Sequence, residues 1–201
     1  MMRAWFVSAV LLVAGCSSAS DDAARGNQPP AAAPDSGPVI VGKAPRRAIV
    51  SLIPNPPREM PLPDGPAIMD QYAKQFVPDM LLVRVGQPVE FRNSEDSPHN
   101  VNVNRIPTGT EIFNVATAPY QKHVHTFDQP GQYAVACDIH PGMTATVVAT
   151  TTPYVTIADD AGNFSWPDIP PGDYTLSWVL SGKSGEKKVT VAAGRTELAV
   201  P

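Results

Sequence analysis

Residues 127–150 read FDQPGQYAVACDIHPGMTATVVAT, and this stretch decides the fold. A Pro-Gly turn precedes a strand of alternating apolar residues that ends at Cys137, and a strand rich in Thr and Val follows a short loop. That loop, CDIHPGM, carries a thiol, an imidazole and a thioether at Cys137, His140 and Met143, one at every third position. Three soft donors in one turn between two strands predict a metal site at the end of a β-sheet.

A second block of the sequence supplies another imidazole. Residues 75–101 read QFVPDMLLVRVGQPVEFRNSEDSPHNV, which predicts a strand, a Gly-Gln-Pro turn, another strand and a polar loop before His99. Two imidazoles, one thiolate and a weakly bound axial thioether form the ligand set of blue-copper electron-transfer centres. Thiolate and imidazole also suit zinc, so the ligand types alone leave the choice of metal open.

At these residues the sequence resembles the cupredoxins of the plastocyanin, pseudoazurin and amicyanin group, over roughly residues 67–150. The short C-x-x-H-x-x-M loop, with Pro141 directly after the histidine, is most similar to amicyanin. The resemblance implies one mononuclear type 1 copper site with the ligands His99, Cys137, His140 and Met143. It also implies that Asn100, next to the first ligand, braces the ligand loop. Asp138 departs from the family, in which a small hydroxyl residue often occupies this position.

The composition predicts an all-β protein. Twenty-three prolines and fourteen glycines are scattered along the 201 residues and argue against long helices. Short runs rich in Val, Ile, Thr and aromatic residues lie between them, as in antiparallel sandwiches. Strands are predicted at 48–53, 81–85, 89–92, 101–103, 123–127, 132–137, 144–149, 154–158, 174–180 and 187–191. Residues 68–76 are the one segment in which a helical turn or two is expected.

The C-terminal part of the chain indicates a second β-sandwich. Residues 154–178, YVTIADDAGNFSWPDIPPGDYTLSW, resemble the prealbumin-like sandwich found beside carboxypeptidases. In that family an upstream strand precedes this motif, and residues 47–53, RAIVSLI, are the segment that matches it here. We therefore expect a Greek-key cupredoxin domain at 58–151, inserted into a small prealbumin-like sandwich formed by 39–57 and 152–201.

The N-terminus predicts export from the cytoplasm. Residues 1–16, MMRAWFVSAVLLVAGC, combine an early cation with an apolar run too short to span a bilayer, as in a secretory signal peptide. Residues 13–16 resemble a bacterial lipobox, which predicts cleavage after residue 15 and lipid on Cys16. Residues 16–38 have no apolar periodicity and are expected to form a disordered tether. The alternatives are an ordinary signal peptide or an uncleaved anchor.

The predicted location follows from this leader and from the residue after it. Lipid on Cys16 would place the chain on the periplasmic face of a bacterial envelope. The resemblance to proteobacterial lipoproteins, with Ser17 after the lipidated cysteine, implies the outer membrane. The leader, the copper motif and the PPGDY sandwich together resemble envelope proteins described as methylamine-utilisation-like. The chemistry behind that description does not transfer with the fold.

Charge and the remaining histidines limit the functions that the chain can have. The formal net charge is −4 and no basic patch occurs, so a nucleic-acid partner is not expected. His123 and His125 are two residues apart and face the same side of a strand, either towards solvent or as a second surface metal site. Glu95 and Asp96 form either an acidic docking rim or a solvated loop. An enzyme is not expected, because copper oxidases and nitrite reductases need a second copper centre with more histidines.

The predicted function is a one-electron carrier that meets redox partner proteins in the envelope through the exposed edge of His140. An apolar patch formed by Pro141, Gly142 and Met143 is expected around that edge. Two other functions stay open at this point. One is copper capture or delivery without electron turnover, and the other is an envelope adaptor in which copper serves as a folding clip.

Overall fold

The structure, a computed structural model, describes residues 39–200. All regular secondary structure in this range is β-strand, so the all-β prediction is confirmed. The sixteen strands are β1 (Val39–Lys43), β2 (Ile49–Pro54), β3 (Ala67–Tyr72), β4 (Gln75–Val77), β5 (Met80–Arg84), β6 (Pro88–Asn93), β7 (His99–Ile106), β8 (Thr110–Thr117), β9 (Lys122–Thr126), β10 (Gly131–Ala136), β11 (Thr144–Thr150), β12 (Val155–Ile157), β13 (Asn163–Trp166), β14 (Gly172–Leu180), β15 (Lys183–Val191) and β16 (Arg195–Ala199).

Strands β3 to β11 form two facing sheets, which we call the metal-site sandwich. One sheet has the strand order β5-β11-β10-β7-β8 and the other has the order β4-β3-β6-β9. Alternation along each strand turns every second side chain inward, as Tyr133 and Val135 of β10 illustrate. The core between the sheets contains Met69, Phe76, Val83, Val89, Phe91, Val101, Val103, Phe127, Tyr133, Val135, Val147 and Ala149.

The remaining strands form a second pair of sheets, which we call the second sandwich. Its sheets have the orders β12-β2-β14-β15 and β13-β1-β16. Leu52 of β2 lies opposite Leu176 of β14, and both side chains are buried. The chain thus leaves the second sandwich after β2 and returns to it at β12. The pairing of β2 with β14 is what an inserted metal-site domain requires. The exact boundaries of that domain, at residues 58 and 151, stay a prediction.

Arg84 contacts both segments that connect the two sandwiches, one after β2 and one before β12. Its Nη2 atom donates to the carbonyl oxygens of Met60, at 3.4 Å, and Thr151, at 3.1 Å, and its Nη1 atom donates to that of Pro61. The residue is buried, and this burial lowers the pKa of the guanidinium. A single cation therefore binds carbonyl groups from the outgoing and the returning segment.

Two expectations about secondary structure are wrong. Residues 68–76 form β3 and β4 instead of helical turns, because Met69 and Gln71 are both buried with the period of a strand. Ala73 and Lys74 turn the chain between these strands with φ of 53° and 55°, which a right-handed helix does not allow. The pattern analysis also missed the strands β1, β8 and β16. Polar residues interrupt the apolar residues in β8 and β16, whereas β1 is a run of only three apolar residues before Gly42 and Lys43.

The N-terminal predictions concern residues that the structure does not describe. The signal peptide at 1–15, the tether at 16–38 and the lipidation site Cys16 all lie outside the described residues. Among residues 39–200, no helix has the length and apolar character that a membrane crossing requires.

Candidate metal centre

Strand pairing brings the predicted metal ligands together. His99 is the first residue of β7, and Cys137 directly follows the last residue of β10. These two strands are antiparallel neighbours, with Asn102 opposite Ala136. The start of one strand therefore meets the end of the other at the same edge of the sheet, which places the distant imidazole beside the ligand loop.

The ligand atoms of His99, Cys137 and His140 form a compact cluster. The Cys137 Sγ atom lies 3.8 Å from Nδ1 of His99 and 3.6 Å from Nδ1 of His140. All three ligand atoms lie within 4.8 Å of one another. His99 and Cys137 are buried, whereas His140 is half-buried. Among the described residues, this is the one group of three or more histidine, cysteine and acidic side chains that could share an ion.

The loop from Cys137 to Met143 is closed by its own backbone. The Cys137 amide donates to the Met143 carbonyl at 3.0 Å, and the Met143 amide donates to the His140 carbonyl at 3.2 Å. Gly142 has φ of 84°, a conformation that favours glycine and lets the chain reverse within the loop. Met143 is 2% exposed and packs in the same core cluster as Cys137. Its role as a weak axial ligand stays a prediction.

Glu95 orients the imidazole of His99. The Nε2 atom of His99 forms a hydrogen bond with the Glu95 carboxylate, so the Nδ1 atom is left to face Cys137. The carboxylate also accepts the Lys74 amide at 3.1 Å. Burial raises the pKa of Glu95, but the hydrogen bonds from His99 and Lys74 outweigh it, so this pKa lies below its ordinary value. Glu95 is therefore more than a solvated loop residue, and only its spacing of four from His99 hints at this in the sequence.

Asn100 connects β7 to the ligand loop through two hydrogen bonds. Its Oδ1 atom accepts the Asp138 amide at 2.6 Å, and its Nδ2 atom donates to the Asp138 carboxylate at 2.8 Å. Hydrogen bonds from Asn102, Asn114 and Asn100 keep the pKa of Asp138 below its ordinary value, although partial burial opposes them. Asn100 thus lies where a brace of the ligand loop is expected.

The other two histidines lie away from the ligand cluster. His123 and His125 are half-buried on β9, and their ring centroids lie 4.9 Å and 4.6 Å from that of Phe113. Both imidazoles are therefore partly exposed and packed on one face against Phe113, and a second metal site at this pair stays a prediction. The pair packs on an aromatic ring of β8 because β8 and β9 are neighbouring edge strands of the two facing sheets.

The donor set of this cluster suits a soft metal ion. One buried thiol and two imidazoles with their Nδ1 atoms turned inward match the ligand types of a copper or a zinc site. At the end of an all-β sandwich, this arrangement defines the cupredoxin class of copper proteins. Residues 67–150 match the sequence model of one family, the copper binding proteins of the plastocyanin/azurin family.

Two plastocyanins agree with this assignment, and one solved structure is reported with them as a similar chain. A plastocyanin of Ulva prolifera is 33% identical over 89 residues, which cover 39% of this chain and 91% of that protein. A plastocyanin of Prochlorothrix hollandica is 33% identical over 88 residues, covering 41% of this chain and 66% of that protein. A solved structure of a reduced amicyanin variant is 26% identical, with a TM-score of 0.40, covering 50% of this chain and 99% of that one. The chain belongs to the plastocyanin/azurin family of copper-binding proteins.

Proposed function

We propose that this chain is a type 1 copper protein that carries one electron at a time. His99, Cys137 and His140 hold the ion, and Met143 is the weak axial ligand. The observation that carries the proposal is the buried cluster of one thiol and two imidazoles within 4.8 Å. When bound, copper supplies a one-electron couple between Cu(I) and Cu(II).

The protein's own contribution is a rigid site. The two buried ligands, His99 and Cys137, are attached to paired β-strands, and the loop to Met143 is closed by backbone hydrogen bonds. Ligands held in this way move little when the charge of the ion changes, which keeps the reorganisation at each electron transfer small. A rigid strand-borne site therefore suits repeated turnover of electrons.

The half-buried edge of His140 is the proposed place of contact with a redox partner. The residues Ile139, Pro141 and Gly142 beside it are exposed, and Ile139 is 52% exposed although it is apolar. Met143 is buried and does not belong to this surface, contrary to the expectation from the sequence. A small apolar patch around one ligand suits the brief, low-area contacts of electron-transfer partners.

Copper delivery is the second function to test. A delivery protein must release its ion to a partner, which requires access to the ligands. Here Cys137 is 5% exposed and His99 is fully buried, so His140 is the most accessible of the three clustered ligands. A carrier is therefore expected to keep Cu(I) for hours in an excess of chelator, whereas a delivery protein loses it within minutes.

The proposed location is the periplasmic face of a bacterial envelope, with a lipid on Cys16. The support for it comes from the leader sequence at residues 1–16. Residues 16–38, which the sequence predicts to be a disordered tether, would span about 70 Å if fully extended. A tethered carrier can exchange electrons with partners in the membrane and in the periplasm. Metabolic labelling with palmitate tests this proposal, since a Cys16→Ala variant should take up no label.

The two cysteines provide a matched test of the copper site. The chain without residues 1–15 is titrated with Cu(II), and we expect one equivalent to give an intense visible absorption from thiolate to copper. Cys137→Ser should abolish this colour, while Cys16→Ser should keep it. A colourless wild-type protein that binds one equivalent of Zn(II) with higher affinity than copper contradicts the proposal.

A further inference from the structure

The carboxylate of Asp138, directly after the cysteine ligand, is surrounded by asparagine amides. Its Oδ2 atom accepts hydrogen bonds from Nδ2 of Asn100 at 2.8 Å and of Asn114 at 2.9 Å. Its Oδ1 atom accepts one from Nδ2 of Asn102 at 3.0 Å. Three neutral donors from two strands thus converge on one charged acceptor in the ligand loop.

These asparagines share one face of the sheet. Residues 100, 102 and 104 alternate along β7 and therefore point to the same side, and Asn114 of β8 lies directly opposite Asn102. The Oδ1 atom of Asn102 accepts a hydrogen bond from Asn104 at 2.7 Å. The Oδ1 atom of Asn114 accepts one from Asn100 at 2.8 Å. Each amide oxygen is thereby occupied, and each Nδ2 group is left to donate to Asp138.

We propose that Asp138 is a positioning residue that fastens the ligand loop to β7 and β8, so that Cys137 and His140 are in place before an ion binds. The proposal rests on the copper site proposed above. Asp138 is exposed, and among the described residues no lysine, arginine or histidine forms an ion pair with it, so the side chains that bind its carboxylate are the three asparagine amides. Hydrogen bonds to a charged acceptor are about twice as strong as those between neutral groups.

The same carboxylate has a consequence for the bound metal. Asp138 adds a negative charge one residue from the thiolate, and a nearby negative charge favours the more positive oxidation state. Position 138 therefore holds the ligand loop through a charged carboxylate, whereas a neutral hydroxyl group at the same position would leave no charge near the thiolate. Removal of the charge is expected to raise the reduction potential, which a purely structural role in the loop does not predict.

The first test uses the metal-free protein. Amide hydrogen exchange is measured for Cys137 and Met143, whose amides form the two hydrogen bonds that close the loop. We expect Asp138→Ala to speed the exchange of these amides about tenfold or more, because the variant removes all three hydrogen bonds to this exposed carboxylate. Asp138→Asn keeps the volume of the side chain and one acceptor oxygen, so it should give a smaller acceleration. This variant replaces Asp138→Ala in the test if the alanine variant does not fold.

Asp159 provides the matched control for this test. It accepts three hydrogen bonds, from the Ala161 amide and from the amide and side chain of Asn163, but it lies in the second sandwich. Asp159→Ala should leave the exchange of Cys137 and Met143 unchanged. An unchanged rate in both Asp138 variants overturns the proposal. So does an acceleration spread equally over all strands, because that result indicates general loss of stability.

The second test uses the copper-loaded protein. We expect the reduction potential to rise in Asp138→Ala and Asp138→Asn and to stay at the wild-type value in Asp159→Ala. An unchanged potential in both Asp138 variants overturns the electrostatic part of the inference. A wild-type protein that never becomes coloured contradicts the proposed copper site instead, and the exchange test on the metal-free protein still decides whether Asp138 positions the loop.

Discussion

Glu95 and His99 are joined by a hydrogen bond between a carboxylate and the imidazole nitrogen that faces away from the thiol. The carboxylate is itself held by the Lys74 amide of the β3–β4 turn. A ligand imidazole with an anchored carboxylate behind it has a fixed ring orientation and is a stronger donor to a metal. The β3–β4 turn and the segment from Glu95 to His99 therefore act together to direct one nitrogen at the site.

The first prediction concerns this hydrogen bond. Glu95→Gln keeps the size of the side chain but removes its charge, so the ring of His99 is held less firmly and becomes a weaker donor. We expect the affinity for Cu(II) to fall by about 10–100-fold, the usual effect of losing such a partner. Competition with a chelator of known affinity measures it. Asp96→Asn is the control, because Asp96 is exposed, and an equal loss in both variants contradicts the prediction.

The second prediction concerns the connections between the two sandwiches. Arg84→Met removes the charged donors that bind the Met60 and Thr151 carbonyl oxygens in two part-buried hydrogen bonds. We expect the free energy of unfolding to fall by about 1–3 kcal/mol, while the copper absorption stays unchanged.

Denaturant titration followed by tryptophan fluorescence measures the effect of Arg84→Met. Arg46→Met is the control, since the Arg46–Asp160 ion pair is largely exposed and contributes little to stability. Equal stability of the Arg84 variant and the wild type contradicts a clamping role.

The third prediction concerns pH. Burial, with a smaller contribution from His123, lowers the pKa of His125 below its ordinary value of about 6.5. Folded His125 therefore binds a proton less tightly than the unfolded chain, which takes up more protons as the pH falls. We expect the free energy of unfolding of the metal-free protein to decrease as the pH falls below about 6.5, until folded His125 is itself protonated.

A His125→Gln variant separates this contribution from those of other titrating groups. Its stability should depend less steeply on pH than that of the wild type between about pH 5 and 7, because glutamine does not titrate. Urea denaturation at half-unit pH intervals gives both curves. Parallel curves for the two proteins show that His125 does not contribute to this dependence.

The fourth prediction concerns addition and removal of the metal. An ion that binds only the folded state stabilises it by about 2.7 kcal/mol when its free concentration is one hundred times the dissociation constant. Copper should therefore raise the melting temperature of the wild type, and a chelator should reverse the rise. Cys137→Ser should show no comparable rise, whereas Cys16→Ser should respond like the wild type.

Local spacing explains why much of the site could be predicted. Cys137, His140 and Met143 lie in one short loop, so the chain itself keeps them close whatever surrounds them. The strand before the loop follows from its alternating residues, and the family's spacing points to His99 in the earlier block. The resemblance to cupredoxins is confirmed over residues 67–150.

Contacts between segments that are distant in the sequence could not be predicted in this way. Nothing in the pattern places Asn102 and Asn114 beside Asp138, since their meeting depends on the register of β7 with β8 and on the path of the loop. The expected helical turns at 68–76 failed because inward-facing Gln71 finds partners for its amide in Thr117 and the Asn100 carbonyl. From the sequence alone a polar side chain such as Gln71 is expected to be exposed, because the partners that would satisfy it in the core are not visible.

The sequence by itself determined the all-β class, the copper family and the ligand loop, because these depend on composition and on spacing over a few residues. Only the tertiary structure decided which side chains orient those ligands, and that β2 pairs with β14 across more than a hundred residues. Such contacts follow from strand register and from the burial of two separate cores, which are properties of the whole folded chain.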